Sequence, residues 1–101
     1  MKRSVIDIEE TKTLLREHKD EVVRKYRVRE IGIFGSYVRG EQKERSDIDI
    51  LVSFSGIPDV FEYMELEDYL KSLLHRKVDL VRKEAIRPEL RKRILSETIY
   101  V

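Results

Sequence analysis

The sequence predicts one α/β (α+β) domain in which helices cover a small mixed β-sheet, and three observations predict this class. Apolar residues recur at helical spacing in three segments, and these are residues 8–26, 59–74 and 88–96. Shorter runs rich in β-branched residues lie between these segments, at residues 28–34, 47–55 and 77–82. The chain has 101 residues, which is enough for one modest core, so we assign residues 1–101 to a single domain.

The first third of the chain is predicted to form a long helix, a strand and a turn. Asp7 and Glu10 have the spacing of a capping box, which predicts an amphipathic helix over residues 8–26. Its apolar positions recur at helical intervals, and they are Ile8, Leu14, Leu15, Val22, Val23 and Tyr26. A strand is expected over residues 28–34, and a short helix with Ser36 as its N-cap residue follows that strand.

The second half of the chain adds two helices and one or two strands. Pro58 fits the first position of a helix over residues 59–74, because proline is tolerated in the first helical turn. A third strand is expected over residues 77–82, and a final helix over residues 88–96. Residues 98–101 are expected to form either a short edge strand or a docking tail.

The surroundings of the final helix are rich in cations. These are Arg82, Lys83, Arg87, Arg91, Lys92 and Arg93. Such a surface either contacts nucleotide phosphates or an acidic partner, or it is simply a solvated face, and the sequence leaves both interpretations open.

Composition argues against several classes of protein. Lys and Arg number 21 against 20 Asp and Glu, a formal net charge of +1, so we expect no direct nucleic-acid binding. The chain has no cysteine, which excludes disulfides and thiolate chemistry. No segment approaches the roughly 20 apolar residues of a membrane span, and the first ten residues lack an apolar signal region. We therefore expect a soluble, cytoplasmic protein that does not contact a membrane.

Residues 31–54 contain the side chains typical of chemistry on phosphates. Gly35 lets the backbone approach a phosphate closely, Ser36 adds a hydroxyl donor, and Arg39 lies within about one helical turn of them. The free N–H groups at the start of a helix also attract anions. We interpret Gly35, Ser36 and Arg39 as a cradle for nucleotide phosphates.

Asp47 and Asp49 fall on one face of the second strand, because side chains alternate between the two faces. Their Cα atoms would lie roughly 6.6 Å apart at a rise of about 3.3 Å per residue. Two carboxylates over that span favour one or two hard cations such as Mg²⁺. The pair therefore indicates a metal site.

Asp79 is a candidate third acid, because it lies inside the third strand. Val78 and Leu80 occupy the core face of that strand, so Asp79 is expected on the opposite face. That is the face of Asp47 and Asp49 if the two strands are adjacent and in register.

An explanation without chemistry is also open at this point. Gly35 and Ser36 form an ordinary strand-to-helix turn in that interpretation, and the three aspartates are solvated residues on an open sheet face. The presence of acids inside strands counts against it, since aspartate is disfavoured there.

The motif resembles that of the nucleotidyltransferases related to DNA polymerase β. Their pattern of Gly-Ser, ten residues and Asp-x-Asp is matched here without a gap, from Gly35 to Asp49. Arg39, Gly40 and Ser46 make the chain most similar to the minimal nucleotidyltransferase (MNT) subgroup. The resemblance implies the nucleotidyltransferase fold and two Mg²⁺ ions. It also implies that the catalytic and metal-binding acids are Asp47, Asp49 and Asp79.

The resemblance further implies a partner and a reaction. MNT proteins are commonly paired with HEPN-domain ribonuclease toxins. The resemblance implies that the chain transfers AMP from ATP to a hydroxyl group, that of a tyrosine, on a HEPN-family toxin. The chain is thereby expected to act as the antitoxin. A second hypothesis, of a different class, is a non-enzymatic antitoxin or binding subunit that neutralises its partner by occlusion. The intact acids favour the enzyme.

Overall fold

The computed structural model describes residues 7–101. The helices are α1 (Ile8–Glu17), α2 (Lys19–Tyr26), α3 (Ser36–Arg39), α4 (Val60–Leu74) and α5 (Pro88–Glu97). The strands are β1 (Val28–Phe34), β2 (Ile48–Phe54), β3 (Val78–Arg82) and β4 (Ile99–Tyr100), and a 3₁₀ turn (Lys83–Ala85) follows β3. The bounds of β1 are as predicted. The bounds of the other predicted strands and of α4 and α5 differ from the prediction by one residue, at one end or at both.

The four strands form one mixed sheet in the order β3-β2-β1-β4. β1 is antiparallel to both β2 and β4, and β2 is parallel to β3. Two neighbouring parallel strands need a crossover connection, and α4 supplies it. The prediction of a small mixed sheet covered by helices is confirmed, and the last residues of the chain form the short edge strand that was one of their two predicted alternatives.

One face of the sheet holds the main core. β2 contributes Ile48, Ile50, Val52 and Phe54 to it, in the two-residue alternation predicted from the sequence. The helices that cover this face are α1, α2 and α4, through Leu15, Val22, Tyr26, Leu66, Leu70 and Leu74.

The other face carries a smaller apolar cluster. Phe34 at the end of β1 and Leu51 of β2 pack with Ile86 and with Ile94 of α5. α5 and the segment before it therefore cover part of this face. None of the helices in residues 7–101 has the length and apolarity needed to cross a membrane.

The prediction of a single helix over residues 8–26 is wrong, because the helix is interrupted at His18 and forms two helices, α1 and α2. The ring nitrogen Nδ1 of His18 lies 2.9 Å from the carbonyl oxygen of Leu14. A side chain that occupies a helix carbonyl competes with the backbone N–H four residues on, which favours a break. His18 itself has φ −110° and ψ 7°, outside the helical region.

Two helix starts also differ from their predictions. Gly35, not Ser36, is the N-cap residue of α3, because the turn needs a positive φ that only glycine adopts readily. Pro58 lies outside α4, whose N-cap is Asp59. The Asp59 carboxylate accepts the N–H of Glu62, and the Glu62 carboxylate accepts the N–H of Asp59, so this capping box sets the start of α4.

Candidate active site

Gly35 joins the two halves of the sequence motif. Its backbone has φ +79° and ψ −150°, and a Cβ atom built on it would lie 1.9 Å from Oδ2 of Asp49. Conformation and space thus both require glycine at this position. The contact follows from the strand register, in which Phe34 of β1 pairs with Asp49 of β2.

Asp49 and Asp79 are direct neighbours across the parallel strands β2 and β3. Adjacent strands are about 4.8 Å apart, and paired residues point to the same face, so the two carboxylates lie side by side. Asp49 is half-buried and Asp79 is exposed. The structure therefore places Asp79 where the alternation of β3 predicted it.

The environment of Asp49 disfavours its negative charge. Burial first, and then the neighbouring carboxylates of Asp79 and Asp47, raise the pKa of Asp49 to about 6, while Arg39 lowers it. A carboxyl group poised near neutral pH inside a cleft is typical of functional sites. The pair Asp49 and Asp79 thus carries charge that a cation would stabilise.

Asp47 precedes β2, is exposed, and is not among the residues that line the cleft around the other two acids. Across residues 7–101, no three acidic, histidine or cysteine side chains are arranged closely enough to hold a metal ion. The donors nevertheless fit Mg²⁺ chemically, because it takes carboxylate oxygens, often one or two of them together with waters and substrate phosphates. Asp49 and Asp79 would hold such an ion, and Asp47 would have to turn towards them to join.

Asp49 and Asp79 line a cleft of about 370 Å³ between the sheet and α5. Its remaining walls are Phe34, Val81, Ala85, Ile86, Arg87, Leu90, Arg93 and Ile94. Sequence reasoning did not assign Arg87, Leu90 or Arg93 to the site, although it noted the cations. Arg87, Leu90 and Ile94 share one helix face by their spacing, but only the packing of α5 shows that this face meets the acids.

Arg39 is held by two carboxylates. Its Nε donates to Oε1 of Glu41 at 2.9 Å, and its Nη1 lies 3.1 Å and 3.2 Å from the two carboxylate oxygens of Glu97. The hydrogen bonds to Glu41 and then Glu97 raise the pKa of Arg39. Oε2 of Glu97 also accepts the N–H of Gly35 at 2.8 Å. Glu97 is a further residue that sequence reasoning missed, because nothing local links it to the motif.

Ser36 is the first residue of α3 and is half-buried beside Gly35. A helix cannot satisfy its own first N–H groups, so those of Ser36 and Tyr37 have no acceptor within α3. Gly35, Ser36 and Arg39 are thus brought together at one end of β1, and Gly35 links them to Asp49. Their role as a phosphate cradle stays a prediction.

Comparisons with known proteins identify the family of the chain. The family model described as nucleotidyltransferase domain matches residues 15–101. The chain is 48% identical to the protein adenylyltransferase MntA of Thermococcus cleftensis over 98 aligned residues. This alignment covers 97% of this chain and 99% of that protein.

Solved structures give the same result for the fold. A minimal nucleotidyltransferase superposes with a TM-score of 0.79 at 32% identity, covering 96% of this chain and 98% of that one. A toxin–antitoxin crystal structure with AMP-PNP superposes with a TM-score of 0.69 at 29% identity, covering 83% of this chain and 69% of that one. The chain therefore belongs to the nucleotidyltransferase family of enzymes.

Proposed function

We propose that this chain transfers AMP from ATP to a tyrosine hydroxyl of a HEPN-family toxin in the cytoplasm, and so acts as its antitoxin. One observation carries the proposal. Gly35 of the predicted cradle is in contact with Asp49, and Asp49 is in register with Asp79. Phosphates held at the cradle would thus lie next to two carboxylates able to bind a cation.

The reaction is a displacement at the α-phosphorus of ATP. The acceptor oxygen forms a bond to that phosphorus, the bond to the β-phosphate oxygen breaks, and pyrophosphate leaves. The proton of the hydroxyl passes to a base, for which Asp79 is the candidate because it is exposed on the cleft side of the edge strand β3. Transfer of this kind depends mainly on positioning and on neutralising charge.

Each charged group has a proposed task. Asp49 and Asp79, joined by Asp47, would hold Mg²⁺, up to two ions, which would offset the charge that builds up on the phosphate oxygens. Ser36 and Arg39 would bind the triphosphate. Arg87, the N-cap residue of α5, and Arg93 within that helix line the same cleft and would contribute further positive charge there.

The partner would approach over an exposed apolar surface. A groove of about 440 Å³ between α4 and β3 shares Val81 and Ala85 with the acidic cleft, so the two adjoin at the edge strand β3. The large apolar side chains exposed on the loop before α4 and on its first two turns are Ile57, Val60, Phe61 and Met64. Such patches mark protein contacts. A toxin bound here would have a short path from its surface to Asp79.

Mass spectrometry of a HEPN partner co-expressed with this chain tests the proposal. We expect one or more AMP units on a partner tyrosine, and none when Asp49→Asn replaces the wild type. Purified components with labelled ATP and Mg²⁺ should transfer the label to the partner.

The alternative is neutralisation by occlusion, which the exposed apolar surface alone would serve. A partner that is silenced without any adduct, equally by wild type and by Asp49→Asn, would establish that alternative and refute the transfer reaction.

A further inference from the structure

We propose that Glu97 is a positioning residue that holds the phosphate cradle in the shape that nucleotide binding requires. This inference rests on the proposed function, since it concerns the same nucleotide. It adds to the site a residue from the last turn of α5, far along the chain from the Gly-Ser motif.

The Glu97 carboxylate bonds to both ends of the cradle. It accepts the N–H of Gly35 at 2.8 Å and lies 3.1 Å and 3.2 Å from Nη1 of Arg39. Its side chain is only 16% exposed, and a carboxylate so far buried is costly unless it is paired and hydrogen-bonded. The two partners of Glu97 are thus fixed relative to each other, the turn at one end and the guanidinium at the other.

The contacts of Glu97 leave other donors of the cradle for a ligand. In the part of the chain that the structure describes, Nη2 of Arg39 and the hydroxyl of Ser36 make no hydrogen bond. Arg39 is therefore oriented by Glu97 and Glu41 but still has N–H groups for a phosphate. A guanidinium held in place before binding loses less entropy when the ligand arrives.

Close packing brings Glu97 to this position. Gly32 of β1 has no side chain, and a Cβ there would lie 2.7 Å from Cγ2 of Thr98 and 2.9 Å from the carbonyl oxygen of Ile99. The hydroxyl of Thr98 donates to the carbonyl of Ile94 at 2.6 Å and helps to end α5. The pairing of β4 with β1 then sets Glu97 beside the end of β1.

Nucleotide affinity, measured on the full chain without any partner, tests the inference. The probe is a fluorescent, non-hydrolysable ATP analogue with Mg²⁺. Glu97→Ala should raise the Kd about tenfold or more, since it removes a charge-assisted contact from Arg39 and the acceptor of Gly35. Glu97→Gln keeps an oxygen that can accept the N–H of Gly35, so its Kd should lie between those of the wild type and Glu97→Ala. Glu89→Gln, an exposed acid on the same helix, is the matched control and should leave the Kd unchanged.

Two further readouts separate positioning from a merely structural role. In an Arg39→Ala background, Glu97→Ala should have a much smaller effect than in the wild type, because the two residues act together. In AMP transfer to the partner, Glu97→Gln should raise the KM for ATP with little change in kcat. Thermal melting identifies a variant that does not fold, in which case Glu97→Gln carries the test.

An unchanged Kd in Glu97→Ala would overturn the inference. A lower Kd would also overturn it, and would mean that Glu97 competes with the phosphates for the cradle. If the wild type binds no nucleotide at all, the proposed function fails and this inference fails with it. If the wild type binds nucleotide and Glu97→Ala binds it equally well or more tightly, only this inference fails, so the two failures are distinguishable.

Discussion

The two faces of β2 carry residues with opposite tasks. On one face, Ile48, Ile50, Val52 and Phe54 are buried under three helices. On the other, Leu51 is buried against α5, but Asp49 lies in an open cleft between the sheet and that helix. The same alternation along one strand therefore gives a closed core on one side and a site on the other.

The difference lies in how completely helices cover each face. A fully covered face cannot hold unpaired carboxylates, because burying their charge is too costly. A half-covered face leaves Asp49 partly desolvated, which raises its pKa while keeping it accessible. Substitutions on the covered core face should therefore change stability without changing activity. Substitutions on the half-covered face that carries Asp49 should change activity without lowering stability.

Asp79→Asn should have the largest effect on the chemical face. We expect transfer of AMP to fall by about a thousandfold or more, because the acceptor loses its base and a metal ligand. Nucleotide binding should change little, since Asp49 and the cradle remain, and thermal stability should not fall. Rates from labelled ATP, with binding measured on the same samples, check this. A variant that still transfers AMP at nearly the wild-type rate would remove Asp79 from the site.

Ile50→Ala should have the largest effect on the core face. Ile50 is 0% exposed, so its truncation leaves a cavity and should lower the free energy of unfolding by about 2 to 5 kcal/mol. Activity per folded molecule should remain. The matched control is Ile57→Ala, at a position 83% exposed, which should not change stability. Urea unfolding measures both. A loss of activity in fully folded Ile50→Ala would mean that the faces are not independent.

Ser36→Ala should weaken nucleotide binding by about 1 to 3 kcal/mol, the value of a hydrogen bond to a charged group. Stability should stay unchanged, because among the described residues this hydroxyl makes no hydrogen bond that folding would lose. Titration with an ATP analogue gives the affinity, and Ser72→Ala on α4 is the control for a serine outside the site. Equal affinities in the two variants would exclude Ser36 from the cradle.

Asp49→Asn should increase stability slightly, and the size of the increase depends on pH. The folded state raises the pKa of Asp49 from 3.8 to about 6, so wild-type stability falls as pH rises through that value. Without Mg²⁺, the amide should therefore add about 1 kcal/mol at pH 7.5, a value reduced because the group is only half-buried, and nothing at pH 4.

Thermal melting at both pH values, with the exposed Asp68→Asn as control, measures this difference. A lower melting temperature for Asp49→Asn at pH 7.5 would mean that Asp49 holds the fold together.

Local patterns predicted much of this molecule. The sheet faces on which Asp49 and Asp79 lie follow from strand alternation, which is a property of the chain itself. Their side-by-side placement also needs β2 and β3 to be adjacent and in register, which the structure shows. Local patterns could not place three other residues at the site, because their positions depend on how α5 packs across the sheet. These are Arg87, Arg93 and Glu97. The break at His18 was missed for a similar reason, since both halves of the segment keep a helical period and only a side-chain contact separates them.

The contact between Glu97 and Gly35 joins positions 62 residues apart in sequence. Gly35 and Asp49, by contrast, meet through the pairing of β1 with the next strand along the chain. Closing a longer loop costs more chain entropy, so the turn and the acids should come together earlier in folding than the last turn of α5 joins them. During refolding, the fluorescence of a bound ATP analogue should therefore appear after the β-sheet signal, because affinity for nucleotide develops only in the final docking step.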